Sequence, residues 1–192
     1  MKKKLNPFYK SNVKLMAIAL CIAFLGFSCS DDDENPVPVD EEEVITTMNV
    51  TLTASGVASV SLQSQDLDGD GPNAPDVTVS GNLVANTIYS GTIELLNETE
   101  TPAEDVTVEV AEEDDEHQFF FGITGALTSV AYSDQDGDGN PVGIDFELTT
   151  GDAGNGTLEI TLRHEPKKPN DGTLGDAGGE TDIAESFPIV VE

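Results

Sequence analysis

The sequence predicts an all-β domain over residues 44–192, an antiparallel β-sandwich of the immunoglobulin-like or a similar kind. Two patterns carry the prediction. Apolar and polar residues alternate with period two in segment after segment, as in strands that bury one face. Clusters of Gly, Asn, Asp and Pro separate these segments at Asp68 to Pro75, Gly137 to Pro141, Gly151 to Gly156 and Pro166 to Gly179. Such residues supply the positive or fixed φ that turns require. The length suits a single domain.

In chain order, Met48, Val50 and Leu52 interleave with Asn49 and Thr51, and Val60 and Leu62 with Ser59 and Ser61. Tyr89, Ile93 and Leu95 share a face opposite Ser90, Thr92 and Glu94. Phe119-Phe120-Phe121 reads as a strand buried in the core, with the lining of a pocket as the alternative. Ile144, Phe146 and Leu148 alternate with Asp145 and Glu147, and Leu158, Ile160 and Leu162 with Glu159, Thr161 and Arg163. Phe187, Ile189 and Val191 close the chain in the same rhythm. Pro188 has no N–H for a ladder, which predicts an edge strand or a missing donor turned to solvent. One segment departs from the pattern. Thr101-Pro102-Ala103-Glu104 reads as a capping box with proline at the first helical position, ahead of an acid-rich run. It predicts a short helix over 102–116, although Val106, Val108 and Val110 alternate as a strand would. His117 near its C-terminus would complement the dipole when protonated.

Residues 1–28 are of a different kind. Lys2, Lys3, Lys4, Lys10 and Lys14 lead into an unbroken apolar and small-residue run from Leu15 to Phe27. As a helix that run spans about 20 Å, short of a bilayer's hydrocarbon core. A basic start, a short apolar stretch and the small Ser28 are the parts of an export signal. Leu25-Gly26-Phe27-Ser28 before Cys29 resembles the lipobox of lipoprotein signal peptidase, with Gly26 where leucine is usual. The resemblance implies a fatty-acylated Cys29 as the new N-terminus. Cys21 leaves with the signal, so no disulfide is expected in the domain. Ser30-Asp31-Asp32-Asp33-Glu34 resembles the acidic export signal that sends lipoproteins of one Gram-negative phylum to the outer face of the outer membrane. Residues 29–43, with acid runs flanking Pro36-Val37-Pro38, are expected to be a disordered acidic tether.

Charge excludes whole classes of partner. Five of the eight basic residues lie in the signal, which leaves Arg163, Lys167 and Lys168 against 37 acidic residues. A field of that sign repels phosphate backbones, so nucleic acid is not an expected partner. It also repels anionic lipid headgroups, so membrane contact is expected through the lipid on Cys29. Cations and basic surfaces are favoured.

Three groups of residues are candidate cation ligands. Asp134, Asp136 and Asp138, with Gly139 next and Asp145 further on, match the D-x-D-x-D-G-x5-acid spacing of a calcium loop. Alternate carboxylates there can converge on one ion while glycine permits the sharp turn. The same residues also suit an ordinary hairpin turn, with Asp145 on a solvent face. A second loop offers Asp66, Asp68 and Asp70, with Asp76 further on, stiffened by Pro72 and Pro75. His117 and His164, with Glu116 and Glu165 beside them, could act as zinc or copper ligands where thiols are absent. The sequence holds no G-x-S-x-G elbow and no phosphate-cradling glycine loop before a helix, so no enzyme is expected.

Several stretches carry a wider resemblance. These are Glu42-Glu43-Val44-Ile45-Thr46-Thr47, Asp66 through Pro75, Leu96-Asn97-Glu98-Thr99, Thr101 through Asp105, His117-Gln118, Leu162-Arg163-His164 and Ala177 through Asp182. Together with the acidic tether they resemble a family of small surface-type lipoproteins usually labelled type 1 periplasmic binding fold superfamily proteins. That label implies solute binding between two Rossmann-like lobes. Such lobes need βαβ alternation and roughly twice this length, so the resemblance is taken for the lipoprotein class and binding role only. The expected function is a non-enzymatic lipoprotein of the outer membrane and cell surface. It would bind a ligand or a cation such as calcium, or assist an outer-membrane transporter. The alternative expectation is a structural or adhesive sandwich with no bound ligand.

Overall fold

The computed structural model describes residues 43–68 and 73–192. The signal segment, Cys29, the tether up to Glu42, and Asp70 lie outside the described residues. The sandwich expectation is met by two antiparallel sheets sharing one core. The larger contains β1 (Thr47–Thr53), β2 (Val60–Gln65), β3 (Asp76–Val79), β4 (Ile88–Asn97), β5 (Glu104–Asp105), β7 (Leu127–Tyr132) and β8 (Asp145–Thr150). Its order is β3-β2-β1-β4-β8-β7, with β5 paired to the end of β4. The smaller sheet orders β10 (Glu180–Val191), β9 (Gly154–His164) and β6 (His117–Gly125).

Period two decides which residues meet between the sheets. Met48, Val50 and Leu52 of β1 and Ile93 and Leu95 of β4 are buried, and so are Leu158, Ile160 and Leu162 of β9 and Phe187, Ile189 and Val191 of β10. One core cluster takes residues from both sheets, which is how each sheet hides its apolar face. Pro188 sits in β10 at the edge of its sheet, where no ladder bond needs its missing donor.

Gly91 lies opposite Phe146 in the β4–β8 pair. A Cβ added there would fall onto the Phe146 ring, well inside van der Waals contact. Gly91→Ala is therefore expected to destabilise the domain by about 2 kcal/mol through overpacking. A lowered urea midpoint with unchanged slope is the expected reading.

The helical segment is shorter than 102–116. The helix α1 covers Val106–Glu112, and its N-cap is Asp105, whose carboxylate accepts the Thr107 N–H at 3.1 Å. The capping box at Thr101 is not used, because Glu104 and Asp105 pair as β5 with Asn97 and Leu96. The valines follow the helical period. Val106 and Val110 are buried one turn apart, while Val108 is 53% exposed. The Thr107 hydroxyl accepts the Leu95 N–H at 2.7 Å and so fastens the helix to β4. A single helical turn, α2 (Leu174–Ala177), lies in the turn-rich segment before β10. Among the described residues no helix is long and apolar enough to cross a membrane.

Candidate metal centre

β6 begins with His117 and β9 ends with His164, and the two are direct partners in the β6–β9 register. Cross-strand partners project to the same face. The imidazole rings stack with centroids 4.8 Å apart and planes 12° from parallel. Both side chains are buried, His117 at 0% exposure. The two histidines that the sequence offers as joint ligands are thus one contiguous donor group.

Glu43 completes it. It lies just before β1, and its side chain is only 4% exposed. Its Oε1 stands 3.0 Å from His117 Nε2, and its Oε2 is buried with no hydrogen-bond partner among the described residues. Donor atoms of Glu43, His117 and His164 all lie within 4.8 Å of one another. The His117 Nδ1–H donates to the Glu113 carbonyl at 3.2 Å, just beyond the end of α1. That bond fixes the ring and leaves Nε2 beside the carboxylate, in no hydrogen bond among the described residues. Glu116, half-exposed, brings Oε2 to 3.8 Å from His164 Nε2. Glu165 instead turns outward, and its backbone N–H donates to the Glu116 carbonyl at 2.7 Å.

Acid surrounds the group. Glu43, Glu109 and Glu113 form a second set of mutually close carboxylates. Burial, and then the charges of Glu43, Glu113 and Glu104, push the Glu109 carboxyl above its ordinary range, with His117 acting in the opposite sense. A field of this kind raises the local concentration of cations.

The aspartate turn is put to a different local use. The Asp136 carboxylate accepts the N–H groups of Asp138 at 3.0 Å and Asn140 at 2.7 Å, and the Asn140 side-chain amide at 3.0 Å. Asp134 accepts the N–H groups of Gly143 at 2.6 Å and Asp145 at 3.0 Å. Asp145 accepts the Thr92 hydroxyl at 2.8 Å, and Asp138 lies exposed at the tip. Lys168 reaches this turn from the segment after β9. Its ammonium lies 3.4 Å from Asp136 Oδ2 and also donates to the Asp114 carbonyl. Calcium at Asp136 would have to compete with that ammonium. In the other loop Asp66 accepts the Asp68 N–H at 3.2 Å, Asp68 accepts the Asn73 amide, and Asp76 opens β3. Neither aspartate set is among the close donor groups found in the described residues.

Glu43 is the site residue that sequence reasoning misses, because it sits in an acid run and reads as the last residue of the tether. Its only distinguishing signal is position, directly before the apolar Val44-Ile45 step into β1. Fold and site together define an all-β sandwich-like domain with a buried imidazole–carboxylate cluster at the paired ends of two strands. No protein-family model, curated protein or solved structure matches the chain.

Proposed function

We propose that this protein is a non-enzymatic, lipid-anchored module of the outer membrane and cell surface whose β-domain binds a cation. The observation that carries the reading is the Glu43–His117–His164 cluster. It buries two imidazoles and a carboxylate with one oxygen lacking a hydrogen-bond partner among the described residues, an arrangement costly to leave without a positive charge. The lipobox-like stretch before Cys29 and the acidic run after it support anchoring and surface exposure. The resemblance to small surface lipoproteins supports a binding role, with an outer-membrane transporter as the partner such a module would assist.

A structural or adhesive role without ligand is favoured by one observation, the use of Asp134 and Asp136 to accept backbone amides within their own turn. Calcium at that turn belongs to the cation reading and would show as binding sensitive to Asp138→Asn.

Anchoring is tested by growth on labelled palmitate. Label is expected on the wild-type chain and in the membrane fraction, and absent from Cys29→Ser. An unlabelled wild-type protein would overturn the anchor. Protease added to intact cells should remove the domain if it is on the outer face. Calorimetric titration with Zn2+ and Ca2+ tests the cation, and silence with both would leave the ligand-free structural role.

A further inference from the structure

We infer that Glu43, His117 and His164 hold a single divalent ion of the borderline transition-metal class, zinc foremost, and that this ion fastens the chain just ahead of β1 to the paired ends of β6 and β9. The inference rests on the cation-binding reading above and supplies its ligand set.

Donor chemistry selects the metal. Two imidazoles and one carboxylate suit zinc or copper, whereas calcium takes oxygen ligands. No cysteine occurs among the described residues, so a thiolate site is not the competitor. Spacing agrees. Neighbouring ligands of a tetrahedral ion with bonds near 2.1 Å stand about 3.4 Å apart. Here one donor pair is 3.0 Å apart and all three atoms fall within 4.8 Å.

Orientation is the second argument. With its Nδ1–H bonded to the Glu113 carbonyl, His117 keeps Nε2 beside a carboxylate oxygen and in no hydrogen bond among the described residues. A ring nitrogen lone pair and a carboxylate oxygen are both acceptors, so contact at that distance needs a positive species shared between them. A metal ion does this for all three side chains once one imidazole turns out of the near-parallel stack, because an ion lies in the plane of each ring that binds it. The Glu43 Oε2 atom, buried and without a hydrogen-bond partner among the described residues, is the donor left for the larger cation. Three protein ligands leave a fourth position, which the half-exposed Glu116 or an external donor can reach.

Placement gives the site its consequence. Glu43 precedes β1 of the larger sheet, while His117 and His164 belong to the smaller. An ion bound by all three ties the two sheets together where the chain enters the domain.

The test is calorimetric titration of the full-length chain in detergent, with Zn2+ and Ca2+ separately. Saturable Zn2+ binding near one ion per chain is expected. It should be weakened at least tenfold by each of Glu43→Gln, His117→Gln and His164→Gln, and left unchanged by Glu165→Gln. Zn2+ should also raise the melting temperature of the wild type and not that of Glu43→Gln. Glu43 lies outside every strand, so Glu43→Gln decides the matter even if a histidine variant fails to fold. Zn2+ binding untouched by Glu43→Gln overturns the ligand set. Binding of either ion that is lost in Asp138→Asn overturns it too, while the general cation-binding reading stands. No binding of either ion overturns both and assigns the Glu43–His117 contact to a proton.

Discussion

Truncating Phe146 to alanine is expected to cost about 4 kcal/mol of stability. Phe146 belongs to β8 of the larger sheet and is 1% exposed. Its ring covers the Cα of Gly91 within that sheet. It also meets Phe121 of β6 in the smaller sheet, centroids 4.6 Å apart and planes tilted by 39°. The side chain therefore joins the two layers, and its removal takes away packing on both sides at once. Neighbouring strands are held by their ladders and cannot collapse fully into the space. Urea unfolding reads the effect directly. A loss below about 1 kcal/mol would mean that the sheets do not meet through this ring.

The second large effect is at Asp136. Asp136→Ala is expected to cost about 3 kcal/mol, because it strands a buried partner. The Asp136 and Lys168 side chains are 1% and 6% exposed. Without the carboxylate, Lys168 keeps only the Asp114 carbonyl among the described residues, and the N–H groups of Asp138 and Asn140 lose their acceptor. Lys168→Met should cost less, since the carboxylate would still cap its own turn.

Acid makes the same point without mutation. Burial raises the Asp136 carboxyl, but the backbone and side-chain amides of Asn140 and the Lys168 ammonium together outweigh it, and the group is held below its ordinary range. A carboxyl depressed by folding stabilises the native state above its unfolded pKa, about 3.9. That contribution disappears as pH falls through the lower folded value. The stability difference between wild type and Asp136→Asn should therefore be constant at neutral pH and shrink below about pH 4. A gap that stays constant down to about pH 2 would contradict the ion pair.

Most of the fold is legible because burial on one face writes itself into the chain. β1, β2, β4, β8, β9 and β10 all show their inward residues by alternation. β3 does not, since its residues are exposed or only half-buried and nothing forces an apolar period on it. In β7 a register shift between Leu127 and Ser129 breaks the two-residue rhythm. β6 reads as a continuous apolar run because both of its faces are covered. Phe119 packs in the core and Phe120 is buried on the opposite side. The helix is visible in the sequence but its start is not, because Glu104 and Asp105 serve β4 before Asp105 caps α1.

The site is less legible for a physical reason. His117 and His164 meet through strand register, a long-range property that no local spacing encodes. The aspartate loops have a visible spacing, yet the carboxylates of Asp134 and Asp136 accept bonds from their own backbone, which is the hairpin use of the same residues. Glu43 cannot be told from its acidic neighbours without knowing which carboxylate folds back onto a histidine.

Cobalt(II) reports ligand number and geometry through its visible absorption, and so bears most directly on whether one carboxylate and two imidazoles hold a single ion. Titration of the full-length chain should produce the intense absorption of a four-coordinate centre, saturating near one equivalent and bleached by added Zn2+. A spectrum that stays that of the weakly absorbing hydrated ion, or one unchanged by Glu43→Gln, would contradict the account.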